Sequence, residues 1–405
     1  MKRTIYLKLI QQYFSIFSVC AILGPRQVGK TTLAHEYVQQ YGKDKVEFFD
    51  LENPLDLARL ENPMLAFKKY ENYLIVIDEI QRRPELFPVL RVLVDTKKYN
   101  FLILGSASRD LLKQSSETLA GRIGYIQLPS FTFFDITSTL TTPTKNNLDI
   151  TTEIVDRLII RGGFPLSYLA TSDEQSALWR REYINTFLER DLPSFGFNVL
   201  PPVMYRFWMM LCFYHGQTIN ISEISKSLML SNKIVNHYLD ILAGTFMIRI
   251  LQPWFENIKK RQVKTPKIYF RDSGIFNSLS QIYSIQELSK NPRIGSLWEG
   301  FALEQVISCF QFQDQDCYFW STANEAELDL LVFKNGKRFG FEFKYTDNPK
   351  TTKSMHIALQ DLKLDHLYVI YPGNKSFPMH EKITAYGFMT LEELRVDPIF
   401  IGLSN

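Results

Sequence analysis

The sequence predicts an α/β protein: a parallel sheet with a helical lid, then helices with a basic ribbon, then a second α/β domain. Three observations carry this. An apolar strand, a glycine-rich turn and a helix follow one another over Ser18 to Gln40. A second apolar run, Tyr73-Leu74-Ile75-Val76-Ile77, ends in Asp78-Glu79, as a strand buried on both faces of a parallel sheet does. Near the C-terminus the order is helix, three strands, helix, strand, with the hairpin signal Asn335-Gly336 between the second and third strands. A chain of 405 residues exceeds one ordinary core, so two or three domains are expected.

The first turn reads Gly24-Pro25-Arg26-Gln27-Val28-Gly29-Lys30-Thr31, the GxxxxGK[ST] phosphate loop. Its glycines let backbone N–H groups turn inward on an anion. Lys30 adds a point charge for β- and γ-phosphates, and the Thr31 hydroxyl is a hard oxygen for Mg²⁺. The helix that begins here points its positive end at the same spot. The candidate nucleotide-binding residues are therefore Gly24, Pro25, Arg26, Gln27, Val28, Gly29, Lys30, Thr31 and Thr32. Asp78, at the end of a neighbouring strand, can hold Mg²⁺ directly or through water. Glu79 is placed to orient or deprotonate an attacking water. The strand Phe101 to Gly105 ends at Ser106, which either feels the γ-phosphate or caps the next helix. Arg122 is either an arginine finger supplied by a neighbouring subunit or one half of a surface salt bridge. A homo-oligomer is implied only in the first case.

The formal charge of +3 is too small to imply a partner by itself. The cysteines (Cys20, Cys212, Cys309, Cys317) are scattered, and the histidines lack paired spacing. A zinc site or disulfide framework is not expected, and a reducing compartment is. Met1-Lys2-Arg3 resembles the start of a leader, but Lys8, Gln11 and Gln12 interrupt the apolar run. No apolar stretch reaches the ~18 residues of a transmembrane helix. The expectation is a cytoplasmic protein without a membrane partner.

Phe131 to Asn147 reads as a connection, and Thr152 to Ile160 as a helix stopped by Arg161-Gly162-Gly163-Phe164-Pro165. No chemical role follows from Tyr183-Ile184-Asn185-Thr186-Phe187-Leu188-Glu189-Arg190-Asp191; a helix with buried and ion-paired residues is the plain account. Val203 to Tyr214 is a helix, Ser222 caps a second and Ser231 a third, Asn232 to Phe246. Two short helices across a tight turn suggest a helix-turn-helix. The runs Ile248 to Leu251 and Lys267 to Phe270 flank a window with Lys259, Lys260, Arg261, Lys264, Lys267 and Arg271 and no acid. A basic hairpin beside an exposed helix start (Asn232, Lys233, Asn236, His237) is what a winged helix presents to DNA. A protein-docking module is the other reading.

At the C-terminus, Ser296 to Phe310 is a helix carrying Glu299 in its first turn. The strands are Cys317 to Ser321, Glu327 to Phe333, Arg338 to Lys344 and His366 to Tyr371, with a helix over Lys353 to Leu362. Strand period two puts Glu342 and Lys344 on one face, which Asp329 can join from the partner strand. Asp329 and Glu342 can hold Mg²⁺ and activate a water, with Glu299 as a further ligand. Lys344 can orient the nucleophile or steady developing charge. Glu325 and Glu327 complicate the acid count, and an inactive ion-paired hairpin face is the competing reading.

Together GPRQVGKTTL, IVIDEIQRRPELFPVLRVLVD, LILGSAS and LAGRI resemble the prokaryotic AAA-type ATPases that carry a C-terminal domain of unknown function with a nuclease-like fold. RGGFP and the string ending in Asp191 extend the likeness over most of the chain. Asp329 with Glu342-Phe343-Lys344 resembles the restriction-endonuclease-like superfamily, an acid followed by [DE]-x-K on a hairpin. The resemblance implies an AAA-type P-loop NTPase domain over 1–135, a helical lid and linker over 136–200, a winged helix over 201–272 and a nuclease-like domain over 273–405. It places Lys30 and Thr31 at the nucleotide, Asp78 and Glu79 at magnesium and water, Ser106 as a sensor and Arg122 as the finger. Preference for ATP over GTP rests on it alone. The implied function is Mg²⁺-dependent ATP hydrolysis coupled to DNA binding or remodelling. The alternatives are an ATP-gated DNA nuclease and a nucleotide-switched docking module with an inactive nuclease site.

Overall fold

In the computed structural model the apolar runs become the middle of a five-stranded parallel sheet. The structure describes residues 1–40, 45–106, 117–138, 147–323 and 326–401. Val19–Leu23 (β1), Val46–Asp50 (β2), Leu74–Asp78 (β3), Asn100–Gly105 (β4) and Ile123–Gln127 (β5) lie in the order β2-β3-β4-β1-β5, every pair parallel. β1 is buried at every position because it has strands on both sides and layers on both faces. Phe49, Leu60, Phe67 and Phe101 fill one of those layers. The glycine-rich loop leaves the C-terminal end of β1 and runs into the helix Lys30–Gln40. This is the P-loop NTPase fold.

The leading helix, Thr4–Phe14, does not end in a free basic tip. Arg3 is buried, and its guanidinium donates to the carbonyls of Pro129 at 2.9 Å and Ser130 at 3.3 Å, below the phosphate loop. The charge that resembles a leader is part of the core of this unit. Among the described residues, no helix is long and apolar enough to cross a membrane.

The chain divides into two compact units. One comprises Met1–Phe131, Glu182–Pro201 and His237–Met247; the other comprises Thr132–Arg181, Pro202–Asn236 and Ile248–Asn405. The stretch expected to form the lid is therefore shared between them.

The second unit is built on one nine-stranded sheet. Its strands are Gln217–Thr218 (β6), Ile248–Pro253 (β7), Lys267–Phe270 (β8), Cys317–Ser321 (β9), Glu327–Lys334 (β10), Lys337–Phe343 (β11), His366–Tyr371 (β12), Ser376–His380 (β13) and Ile383–Gly387 (β14). Their order is β13-β14-β12-β11-β10-β9-β7-β8-β6. Asn335 (φ 52°) and Gly336 (φ 75°) both turn left-handed, so the tight β10–β11 hairpin forms as the sequence expects. The boundary expected after residue 272 falls within a continuous sheet, because β7 pairs parallel with β9 through Gln252–Tyr318 and Pro253–Phe319. The strands β13 and β14 were not expected.

Two details of the basic ribbon differ from the sequence reading. Its tip does not stand free: the Trp254 N–H donates to Phe319 O at 2.7 Å and the Val263 N–H to Ser321 O at 3.0 Å, so it runs along β9. Lys267 is buried, Lys260 pairs with Asp361 at 2.9 Å, and Arg271 pairs with Asp314 at 2.9 Å. Lys259, Arg261 and Lys264 remain exposed. The helix Ile221–Leu228 is capped by Asn220, which accepts from the Glu223 N–H at 3.2 Å; Ser222 already lies inside its first turn. Ser231 caps the next helix as expected, accepting from the Ile234 N–H at 3.3 Å.

A buried ion cluster ties β7 into this unit. Arg249 is 4% exposed and pairs with Glu304 at 3.0 Å and with Asp314. Cutting one partner leaves a charge buried without its counter-ion. Glu304→Ala is expected to lower unfolding free energy by about 3–5 kcal/mol in urea denaturation. A loss below about 1 kcal/mol would show that Asp314 alone satisfies Arg249.

Candidate functional site

The phosphate loop needs its two glycines for different reasons. A Cβ on Gly24 would sit 2.2 Å from the Leu128 carbonyl oxygen, so only glycine fits between the loop and the exit of β5. Gly29 has open space around it but a φ of +90°, so its constraint is backbone handedness. Lys30 follows, buried, and its Nζ donates to the carbonyls of Gly24 at 3.0 Å and Pro25 at 2.9 Å and to Ser106 Oγ at 2.9 Å. Burial lowers its pKa to about 8, against the pull of Glu79 and Asp78.

The Thr31 hydroxyl donates to Asp78 Oδ2 at 2.6 Å. Two hard oxygens thus meet at the foot of the loop, a donor set that suits Mg²⁺. Burial raises the Asp78 carboxyl above its ordinary range, while the Thr31 hydroxyl opposes the shift. Ser106 is buried, and its hydroxyl donates to Glu79 Oε1 at 3.1 Å while accepting from Lys30. Gln81 donates to Glu79 Oε2 and accepts the Ser106 N–H at 3.2 Å. Glu79 is left-handed at φ 56°, a strained backbone for a residue with a side chain, and its carboxylate is fixed by both neighbours.

Arg122 lies at the other end of the sheet. Ile123 pairs with Val19 at the start of β1, whereas the phosphate loop leaves β1 after Leu23. Its guanidinium grips Asp95 through two contacts, at 2.5 and 3.1 Å, and is partly exposed. Arg122 does not reach the phosphate loop of its own chain.

The second cluster lies where β10 and β11 open. Leu330 pairs with Phe341, so the next residues, Asp329 and Glu342, adjoin across the hairpin. The β9–β10 register shifts between Leu328 and Leu331, a bulge of the kind that re-aims side chains. Asp329 accepts the Phe343 N–H at 2.9 Å. Glu342 is 3% exposed and pairs with Lys344 at 2.5 Å, while its Oε1 is buried with no hydrogen-bond partner. Glu299, in the second turn of the helix Ile294–Phe310, accepts from Tyr269 Oη at 2.5 Å and Lys267 Nζ at 3.3 Å. Burial first, and then the charge of Asp329, raise both the Glu299 and Glu342 carboxyls.

Glu299, Asp329 and Glu342 lie near one another: the charge of Asp329 acts on Glu299 and Glu342, and that of Glu299 on Glu342. Among the described residues, no group of three or more His, Cys, Asp or Glu side chains is arranged to hold a metal ion. Each acid is held by its own partner: Glu299 by Tyr269 and Lys267, Asp329 by a backbone N–H, Glu342 by Lys344. The unpartnered Glu342 oxygen nevertheless fits a cation. Lys267 belongs to this cluster, paired with Glu299 and Glu327, and not to a phosphate-facing ribbon. Glu325 lies outside the described residues.

Residues 17–137 match the family described as AAA domain. Residues 152–286 and 294–391 match two families described as domains of unknown function. Two uncharacterized proteins, of Mycobacterium bovis and Mycobacterium tuberculosis, are each 44% identical over 370 residues, which is 91% of this chain and 79% of theirs. The chain belongs to the same family as these two proteins. In this family member the AAA domain and the sheet order together make the first unit an AAA-type P-loop ATPase fold. Among solved structures, a Walker-type ATPase of Pyrococcus abyssi is 13% identical with a TM-score of 0.45, covering 69% of this chain and 95% of that one. The ORC1 protein of Aeropyrum pernix in complex with DNA is 13% identical with a TM-score of 0.33, covering 71% and 94%.

The structure of this AAA-domain protein brings Lys30, Thr31, Asp78, Glu79 and Ser106 together and sets Arg122 apart. Sequence reasoning missed Gln81, whose only signal is its place two residues after Glu79. It also missed Lys267 and Tyr269 beside Glu299, because a strand meeting a helix 30 and 32 residues further along the chain is not a local pattern.

Proposed function

We propose that this AAA-type ATPase hydrolyses ATP to ADP and phosphate with Mg²⁺, and couples turnover to DNA. The observation that carries the first half is the continuous contact from Lys30 through Ser106 to Glu79, beside the Thr31–Asp78 pair. Thr31 and Asp78 would hold the magnesium ion, which neutralises phosphate charge when bound. Lys30 binds the β- and γ-phosphates. Ser106 and Gln81 fix Glu79, which accepts a proton from water as the water oxygen bonds to the γ-phosphorus and the bond to the β-phosphate oxygen breaks. The DNA half is supported by exposed Lys259, Arg261 and Lys264 and by the exposed helix start Asn232, Lys233, Asn236 and His237.

The test is phosphate release from Mg-ATP, with and without duplex and branched DNA. Stimulation by DNA that falls steeply with salt is expected. Turnover indifferent to DNA would make the exposed helix start a protein-docking face.

A second reading is phosphodiester hydrolysis at Asp329, Glu342 and Lys344. The unpartnered, buried Glu342 oxygen favours it, since that atom and Asp329 would hold a divalent cation. Arg122 is read as acting on a neighbouring copy, which requires an oligomer. Mixing two inactive variants, Arg122→Ala and Glu79→Gln, is then expected to restore part of the ATP turnover. Mixed copies place an intact Glu79 beside a neighbour's intact Arg122. No recovery on mixing would return Arg122 to a surface ion pair with Asp95.

A further inference from the structure

We infer that Asp191 is a positioning residue of the nucleotide site, acting through Arg26 of the phosphate loop; this rests on the ATPase reading above. The string from Tyr183 to Asp191 is the one motif to which the residues alone assign no chemistry. Its last part, Phe187–Asp191, is a turn of π-helix. Such turns are rare and gather at functional sites, because the extra residue re-aims the side chains that follow.

Asp191 is 3% exposed. Its carboxylate pairs with the guanidinium of Arg26, 165 residues earlier in the chain. The same guanidinium donates to Glu52 Oε1 at 2.6 Å and lies 5.6 Å from the centre of the Phe195 ring. Glu52 also takes Arg82 at 3.0 Å and Arg190 at 3.9 Å, so residues 190 and 191 both contribute to one ionic cluster at the loop. Arg26 is thus held on two sides by carboxylates and on a third by an aromatic face, a set that fixes a planar cation in position and orientation.

The backbone around Arg26 is where that fixing matters. Pro25, just before it, gives its carbonyl to Lys30. Gln27, just after it, is left-handed at φ 62°, a conformation that must be imposed on a residue with a side chain. A phosphate loop binds through the direction of its N–H groups, and displacement by about 1 Å is enough to lose much of the effect. Asp191 supplies the anchor that holds Arg26, and with it this arc of the loop.

The experiment measures equilibrium binding of Mg-ATP, and then KM and kcat, on the full chain. The variants are Asp191→Asn, Arg26→Gln, the two combined, and Asp191→Glu. Each single replacement is expected to weaken Mg-ATP binding and raise KM by about 10–100-fold, with kcat changed far less. The combined variant is expected to bind no worse than either single one, since both cut the same contact. Asp191→Glu is expected to recover most of the affinity. The combined variant leaves neither charge unpaired, so it keeps the test valid where a single variant folds poorly. Affinity within twofold of wild type in Asp191→Asn, or losses that add in the combined variant, would overturn the inference. Failure of the wild-type chain to bind Mg-ATP would overturn the ATPase reading itself, and it is seen before any variant is made.

Discussion

Replacing Glu79 by Gln is expected to cut phosphate release by about 10²–10⁴-fold while Mg-ATP binding stays within about threefold of wild type. The substitution keeps size and the oxygen that accepts from Ser106 Oγ, and removes the group that can take a proton from water. Lys30, Thr31 and Asp78 are untouched, so ground-state affinity for the phosphates is preserved. The strained left-handed backbone of Glu79 argues the same way. A chain holds such a conformation, at roughly 1–3 kcal/mol, where the side chain it aims is needed. Turnover of Glu79→Gln within threefold of wild type would remove Glu79 from the chemistry. Lost turnover together with lost binding would instead mean that Glu79 supports the loop through Ser106.

The second large effect is expected at Glu342. Glu342→Gln should abolish metal-dependent nicking of DNA and at the same time raise unfolding free energy by about 1–3 kcal/mol. A buried carboxylate with one unpartnered oxygen carries a desolvation cost that a neutral amide carries less of. Lys344, about one-third exposed, can turn to water when its partner is neutralised. A residue that costs stability where it stands is retained for what it binds. Millimolar Mg²⁺ should therefore raise the melting temperature of the wild-type chain more than that of Glu342→Gln, which keeps the Thr31–Asp78 pair, because an ion that binds only the folded state stabilises by mass action. A destabilised Glu342→Gln whose wild type ignores Mg²⁺ would leave the hairpin face a structural ion pair. The melting measurement decides this even if no DNA is cut.

Local patterns were legible from the residues. The strand–loop–helix over Val19–Gln40 and the run ending at Asp78 and Glu79 each declare themselves within a dozen residues, since burial on two faces and a tight turn are short-range demands. The Asn335-Gly336 hairpin is legible for the same reason, and it brings Asp329 and Glu342 onto adjoining strands. What failed was the reading of charge. Lys267 looks like a surface cation in a list of residues, and it is buried against carboxylates far away in sequence. Net charge in a window does not tell whether a lysine faces water or a carboxylate distant in the chain.

Residue spacing alone marks a phosphate-loop sequence at the end of one buried strand and an acid pair at the end of another. The spacing of Gly24, Lys30 and Thr31 and the apolar run before Asp78 leave little else for those segments to form. Which of the candidates share a site is set by long-range folding. It joined Ser106 and Gln81 to Glu79, set Arg122 at the opposite end of the strands from the phosphate loop, and brought Asp191 to Arg26. Those outcomes depend on strand order and on long-range ion pairs. Both are settled by how the whole chain buries its apolar surface, and neither is encoded in the spacing of neighbouring residues.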